Sequence, residues 1–312
     1  MNLRYLARHR TLSVVAILTT ALAVGANTVI FSVVRAVFLR PLGLPAESRL
    51  VMIRECNEAW HQKLLQRGHS PADDRGCISA SGAIYRDFLT QANSYQTLGA
   101  MNFSTEMVAL TGSAEPLLVS GYRVTPSLFP VLGVQPLLGR WLEGDREVVL
   151  SYEIWKDRLG GDPGIIGRDV PVAGIAHRVA GVMPPGFSYP GGTEIWLFHG
   201  YGTPAYHAEY SAHNLNLVGR LKPGVTIQGA QAEAAAISAR AAAAAPRDNE
   251  GWTTRVDGLV SEMTFTYRRA FVTLGIAVVI VLLIACANIS NLLLASLEGR
   301  SSEMALRVAI GA

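Results

Sequence analysis

The chain has 312 residues, 50% of them hydrophobic and 16% charged, with a formal net charge of +3. That length accommodates a folded domain of about 200 residues plus membrane segments. The small charge, with no basic run, no RNP-like aromatic pattern and no zinc-finger spacing, argues against nucleic-acid binding, and three cysteines are too few for a disulfide scaffold or a Cys-rich metal site.

Residues 1–10 carry Arg4, Arg8, His9 and Arg10, and an uncharged run from Thr11 to Val34 follows. A basic start and an apolar run also open a signal peptide. This run outlasts the usual h-region, so a retained transmembrane helix over 11–34 is expected. Thr19, Thr20, Asn27, Thr28 and Ser32 dilute its apolarity. Such residues face protein neighbours in a membrane bundle, or, for Ser and Thr, bond back to their own helix. Arg4, Arg8 and Arg10 argue for a cytoplasmic start. Arg35 and Arg40 after the run, and Arg268 and Arg269 before the next one, leave the charge rule nearly balanced.

Residues 41–267 have ordinary globular composition, without a long linker or internal repeat. The segment Glu55 to Ser81 is polar and holds Cys56 and Cys77. Outside the cytoplasm these two thiols meet an oxidising environment, and a disulfide between them is predicted. From Val119 the pattern turns β-rich. Val119 to Val134 reads as a strand, a turn and a short helix ending at Gly133. Pro136 to Arg140 is a tight exit with Gly139 free to take positive φ. Val148 to Ser151 is a short apolar strand, followed by a helix from Tyr152 to Leu159 that stops at Gly160-Gly161-Asp162-Pro163. Val170 to Val179 is a hairpin turning at Ala173-Gly174, and Gly181 to Phe187 is a rigid, aromatic-tipped loop. Thr226 caps an Ala-rich helix that runs to Ala245 and stops at Pro246. Such a helix packs closely on a sheet, so an α+β layer is expected.

A second uncharged run, Ala270 to Leu297, exceeds the roughly 20 residues needed to cross a bilayer, and a second transmembrane helix is expected over 270–297. The composition then switches to Glu298, Gly299, Arg300, Ser301, Ser302 and Glu303. Beyond it, Met304, Ala305, Val308 and Ala309 recur at helical spacing, with Glu303 and Arg307 four apart. Residues 298–312 thus begin an amphipathic helix whose charged face could meet a cytoplasmic partner. The plainer reading of Glu303 and Arg307 is an i,i+4 surface ion pair.

The sequence carries none of the common catalytic or nucleotide-binding patterns. No G-x-x-x-x-G-K-[ST] occurs, and Lys63, Lys156 and Lys222 do not follow glycine, so the chain has no P-loop of its own. G-x-S-x-G and H-E-x-x-H are absent. His199, His207 and His213 lack a matching carboxylate or helical spacing and read as loop histidines. Asp73-Asp74, Glu143 and Asp145 read as solvated carboxylates, Trp155 and Trp196 as core aromatics, and Cys286 as a small packing residue. No catalytic, cofactor or metal residue is assigned, and the chain is not expected to be an enzyme.

Ala285-Cys286-Ala287-Asn288-Ile289-Ser290-Asn291-Leu292-Leu293-Leu294-Ala295, with Arg300, Glu303, Ala305, Arg307 and Ile310-Gly311-Ala312, closely resembles the FtsX-like/MacB-like permeases of ABC transport systems. Phe129-x-x-Leu132-Gly133-Val134, Leu138-Gly139-Arg140, Leu150-Ser151-Tyr152-x-x-Trp155, Gly160-Gly161-Asp162-Pro163, Ile166-Gly167-Arg168, Val182-Met183-Pro184-Pro185-Gly186-Phe187 and Val218 to Thr226 resemble the periplasmic core domain of the same family. The polar segment Glu55 to Ser81 departs from that pattern and reads as an insertion. The resemblance implies an α+β extracytoplasmic domain between two transmembrane helices, in the bacterial inner membrane with both chain ends inside. That domain would have two subdomains: a membrane-near part from segments before about Leu117 and after about Tyr206, and an inserted α/β part. It also implies a separate ATPase subunit as partner, pairing as a homodimer or with a second permease half, and ATP-driven motion passed to the outer domain. Arg300, Glu303 and Arg307 are the candidate ATPase contacts on this reading. The family carries further transmembrane helices downstream, so a truncated permease is one expectation. The alternative from another class is a membrane-anchored extracytoplasmic sensor or binding module.

Overall fold

The structure, a computed structural model, describes residues 43–68, 76–111, 116–201 and 208–309, with Leu18, Ala21, Val24, Gly25, Asn27, Thr28 and Ser32 before them. Side chains at 266–271 and 292–309 lie outside this description. The chain divides into two units, Leu42–Met263, and Met1–Pro41 with Thr264–Ala312.

The unit Leu42–Met263, the expected extracytoplasmic domain and hence the outer unit, opens with β1 (Leu50–Cys56), then α1 (Glu58–Gln66), whose cap Asn57 accepts a hydrogen bond from Trp60 N. Two short strands, β2 (Cys77–Ile78) and β3 (Ala80–Ser81), lead to α2 (Gly82–Gln91), capped by the Ser81 hydroxyl accepting from Ile84 N. Next come β4 (Tyr95–Asn102), β5 (Glu106–Leu110) and β6 (Leu117–Val124). The short α3 (Leu128–Leu132) ends at Gly133, which takes φ 70°. Then follow β7 (Leu138–Gly139), β8 (Glu147–Leu150), β9 (Asp169–Val172), β10 (Ile175–Val182), β11 (Ile195–Phe198) and β12 (His213–Leu221). The unit closes with α4 (Ile227–Ala244), α5 (Pro246–Asn249) and β13 (Thr253–Gly258), and α6 (Leu259–Ala309) starts at the next residue.

The hydrogen-bonded strand order is β11-β8-β10-β9-β5-β6-β4-β12-β1-β13, and β11 also pairs with β6. Strands β5 to β11 therefore close a ring. Its apolar filling includes Leu110, Val148, Val172, Val179, Val182, Ile195 and Leu197. On the other side of β6, the strands β4, β12, β1 and β13 form an open antiparallel sheet. The alanine face of α4 lies close on this sheet, with Ala230, Ala234 and Ile237 fully buried beside Ile84, Tyr85 and Phe88 of α2. A third apolar cluster, with Phe129, Trp196, Met101, Val218 and Leu259, joins ring strands to open-sheet strands.

Two parts are thus present, but they share one continuous sheet and one intervening core, and they stay together as one compact unit. The boundary also falls earlier than expected. β5 pairs with β6 from Glu106↔Gly121 to Leu110↔Leu117 and so belongs to the ring. The segment expected as an insertion contributes α1, β2 and β3, and its two ends lie inside the open sheet. The helix expected at 152–159 begins with one α-turn and continues as a π-helical turn, Ile154–Arg158. Pro246 ends α4 as expected and also starts α5 at its first position, where a missing N–H costs nothing. Ala173 and Gly174 turn the β9–β10 hairpin with φ 51° and 78°. Trp196 is fully buried and Trp155 nearly so.

In the second unit, Val272–Asn291 is long and apolar enough to cross a membrane, with mean hydropathy 2.8, and is the one such segment among the described residues. The described residues between Leu18 and Ser32 are helical, and Thr28 and Ser32 donate to Val24 O and Thr28 O, at 2.8 and 2.7 Å. The remainder of the crossing expected over 11–34 lies outside the described residues.

Candidate functional site

Two neighbouring central strands each carry an arginine that faces away from bulk water. Each grips the place where the chain enters or leaves the outer unit. On β1, Arg54 Nη1 donates to Glu262 Oε1 at 2.6 Å, and Nη2 donates to Cys77 O at 2.7 Å. The two side chains are only 18% and 8% exposed. Glu262 sits in the first turn of α6, flanked by Leu259, fully buried, and Met263, packed on the same cluster with Met52. The helix root is therefore fixed by an ion pair in a setting of low dielectric and by apolar packing on both sides of it. Breaking such a buried pair is strongly destabilising.

On β12, Arg220 is 5% exposed. Its Nε donates to Val131 O at 2.7 Å and its Nη1 to Pro45 O at 2.8 Å. Those carbonyls belong to α3 and to the entry loop before β1. The guanidinium thus meets main-chain acceptors, and burial together with the nearby Arg49 charge lowers its pKa. Gly133 leaves room for it, since a Cβ there would lie 3.1 Å from Arg220 Nη2.

At the C-terminal end of β1, next to Arg54, lies a buried polar cluster. Cys56 and Cys77 face each other across the β1–β2 ladder and are joined in a disulfide, S–S 1.97 Å. Next to them Glu55, 2% exposed, accepts from Ser81 N. Its Oε2 lies 3.7 Å from His213 Nε2 on β12. The His213 ring stacks on Trp252 at 4.1 Å, and Trp252 lies 5.9 Å from Trp60. Burial pushes the Glu55 carboxyl up to about 7, with Asp87 adding to the rise, and burial lowers the His213 pKa. Burial thus disfavours the charged form of both groups.

Of the residues singled out from sequence, Cys56 and Cys77 are brought together. Arg300, Glu303 and Arg307 lie on the α6 backbone, and their side chains are outside the described ones. The three histidines do not meet as a site: His199 stacks on Tyr201 at 3.4 Å, His213 faces Glu55, and His207 is outside the described residues. Among the described residues no group of His, Cys, Asp and Glu is placed to hold a metal. Sequence reading missed Arg54, Arg220, Glu55 and Glu262. Only a departure from strand alternation, a charge at a buried position, could have marked the first three.

Residues 13–237 match the family model of the MacB-like periplasmic core domain. Among solved structures, a domain of a permease protein from Porphyromonas gingivalis aligns with TM-score 0.51 and 14% identity, over 69% of this chain and 92% of that one. The extracellular domain of the noncanonic ABC-type transporter YknZ from Gram-positive bacteria aligns at 0.46 and 12%, over 67% and 99%. The periplasmic region of MacB from Actinobacillus actinomycetemcomitans aligns at 0.46 and 12%, over 71% and 94%. No curated protein matches the chain.

Proposed function

Because the chain belongs to the MacB-like periplasmic core domain family, we propose that it is the permease component of an ABC-type efflux or mechanotransmission system. A separate ATPase subunit drives it, and its outer unit does the work outside the inner membrane. The observation that carries this reading is α6. One unbroken helix, Leu259–Ala309, follows directly on β13, contains the apolar stretch Val272–Asn291 and ends in the segment with Arg300, Glu303 and Arg307. At 1.5 Å per residue its 51 residues give about 75 Å of helix. A displacement imposed near Arg307 has a continuous hydrogen-bonded path to the Glu262–Arg54 pair, and through Arg54 to the main sheet. Arg300, Glu303 and Arg307 are the proposed ATPase contacts, and the Cys56–Cys77 bond fits an oxidising compartment for the outer unit.

The test is affinity purification of the full-length protein from its native membranes. Co-purification of an ATPase subunit, weakened by Arg307→Glu, is the expected result. A chain that arrives alone, with ATPase association unaffected by Arg307→Glu wherever it is reconstituted, would overturn the reading and favour a membrane-anchored binding module.

A further inference from the structure

Strand β4 is paired along nearly its whole length on one side and at a single point on the other. β12 lies against it from Leu215↔Asn102 to Leu221↔Tyr95, whereas β6 meets it only at Met101↔Val124. Beside that point the direction of the main-chain groups is fixed. Ala100 O accepts from Thr125 N at 2.8 Å, and Ala100 N donates to Thr125 Oγ1 at 2.9 Å. Two residues earlier in a strand the same groups point the same way, so Leu98 turns its N–H and C=O away from β12. The chain has by then left β6 and entered α3. Among the described residues neither Leu98 group has a hydrogen-bond partner.

This open edge lines a cavity of about 480 Å³, the size of a ligand site. Residues 95–98 of β4 contribute to it, with Phe88 and Leu89 of α2 and the turn at 125–127. Tyr95, only 6% exposed, also lines it, and its hydroxyl is buried without a hydrogen-bond partner. No lining residue is charged. The last strand of the sheet is treated differently, since the Gln231 carboxamide meets Thr254 O and Val256 N of β13. Residues 95–98 carry neither the charge nor the proline that blunts an edge.

The complement of this site follows from its chemistry. An N–H and a C=O presented by one residue at a strand edge are met together by the C=O and N–H of one residue on an antiparallel strand. Four strand residues span about 13 Å, which a pentapeptide covers. The uncharged lining selects an uncharged occupant, because an ionised side chain there would be desolvated without a partner. We propose that the edge of β4 at residues 95–98 binds an extended, uncharged peptide segment as an added antiparallel strand, which exchanges both main-chain hydrogen bonds with Leu98 and sets an apolar side chain in the cavity beside Phe88. The site lies wholly within the unit Leu42–Met263.

The experiment uses the full-length protein in nanodiscs, with empty nanodiscs as background. The ligand is the amidated pentapeptide Thr-Val-Leu-Val-Thr carrying fluorescein at its N-terminus. Fluorescence anisotropy is expected to show saturable binding. Hydrogen exchange followed by mass spectrometry should show slower exchange over residues 95–98 when peptide is added. The same peptide N-methylated at its central leucine keeps the side chain but loses the donor. It should bind about tenfold more weakly, the loss of one hydrogen bond to a group left unmet. Leu89→Trp adds bulk at a position that is 44% exposed and lines the cavity. It should weaken binding several-fold and leave the urea midpoint unchanged. Equal binding of the parent and N-methylated peptides, or binding without protection of 95–98, overturns the strand pairing and leaves an apolar cavity only. Binding indifferent to Leu89→Trp, or no saturable binding at millimolar peptide, overturns the site itself.

Discussion

Glu55 and His213 act as a pair with opposed preferences. Glu55 binds its proton up to about pH 7 in the folded state, well above its unfolded range near 4.5. Its contribution to stability is fully present below pH 4.5 and is lost as pH rises through 7. His213 is the reverse, since its folded pKa is depressed, and its cost appears as pH falls below the unfolded value near 6.5. Below about pH 6.5 the two slopes oppose each other, and from about 6.5 through 7 the Glu55 loss stands alone, so the outer unit should weaken across that window and level off above it. Glu55→Gln should remove the Glu55 loss, roughly 3 kcal/mol in all between about pH 4.5 and just above 7, and urea unfolding of the outer unit from pH 4 to 8.5 would show it. A stability–pH profile unchanged in the variant would refute the assignment. Arg54→Met should cost about 3 kcal/mol, because it breaks a largely buried ion pair. Arg54→Met with Glu262→Leu should recover much of that. Neither residue was legible beforehand. Glu55 meets His213 158 positions away, and Arg54 meets Glu262 208 positions away, and one sequence contains no signal for pairing at that distance.

At the scale of elements, what could be read was local. Gly133, Gly139 and Ala173-Gly174 sit where the chain needs positive φ, and Thr226 caps its helix through a bond from Gly229 N, because turn and cap chemistry is decided by a few adjacent residues. The ends of the sheet could not be read, because strand neighbours are chosen by tertiary packing. β13 is the last strand in the order. Its outward backbone groups are met by a side chain: Gln231 Nε2 donates to Thr254 O at 2.8 Å and Gln231 Oε1 accepts from Val256 N at 2.8 Å. One carboxamide on α4 thus imitates the peptide of a neighbouring strand and closes an edge open to foreign pairing. Gln231→Ala should lose about 2 kcal/mol, two hydrogen bonds to buried backbone. It should also make the outer unit self-associate with rising concentration in light scattering. On the neighbouring ladder, reducing the Cys56–Cys77 bond frees a loop of 21 residues and should cost about 3 kcal/mol in the chain-entropy model. Peptide mapping without reductant checks the bond itself, and finding both thiols free would defeat the prediction.

For the whole molecule, the question is whether the outer unit is driven or merely held. A tether and a rod predict different results from the same variant. If α6 only anchors the outer unit, a break between the root and the apolar stretch leaves every function intact, since both sides remain covalently joined. If α6 transmits displacement, the break uncouples them. Arg268→Pro lies between Met263, still packed on the outer core, and Val272, where the apolar stretch begins. Proline there removes one main-chain hydrogen bond and clashes with the carbonyl four residues earlier, at a cost of about 3 kcal/mol confined to one turn. The Arg54–Glu262 pair precedes that turn, so the outer unit should unfold at its normal denaturant midpoint. The proposed ATPase contacts follow it, so association should persist. Export or other outer-unit work in reconstituted vesicles should fall at least tenfold while ATP hydrolysis continues, which is the signature of a severed rod. Full activity in Arg268→Pro would show that α6 is a tether, and the motion would then have to reach the outer unit through the entry loop held by Arg220.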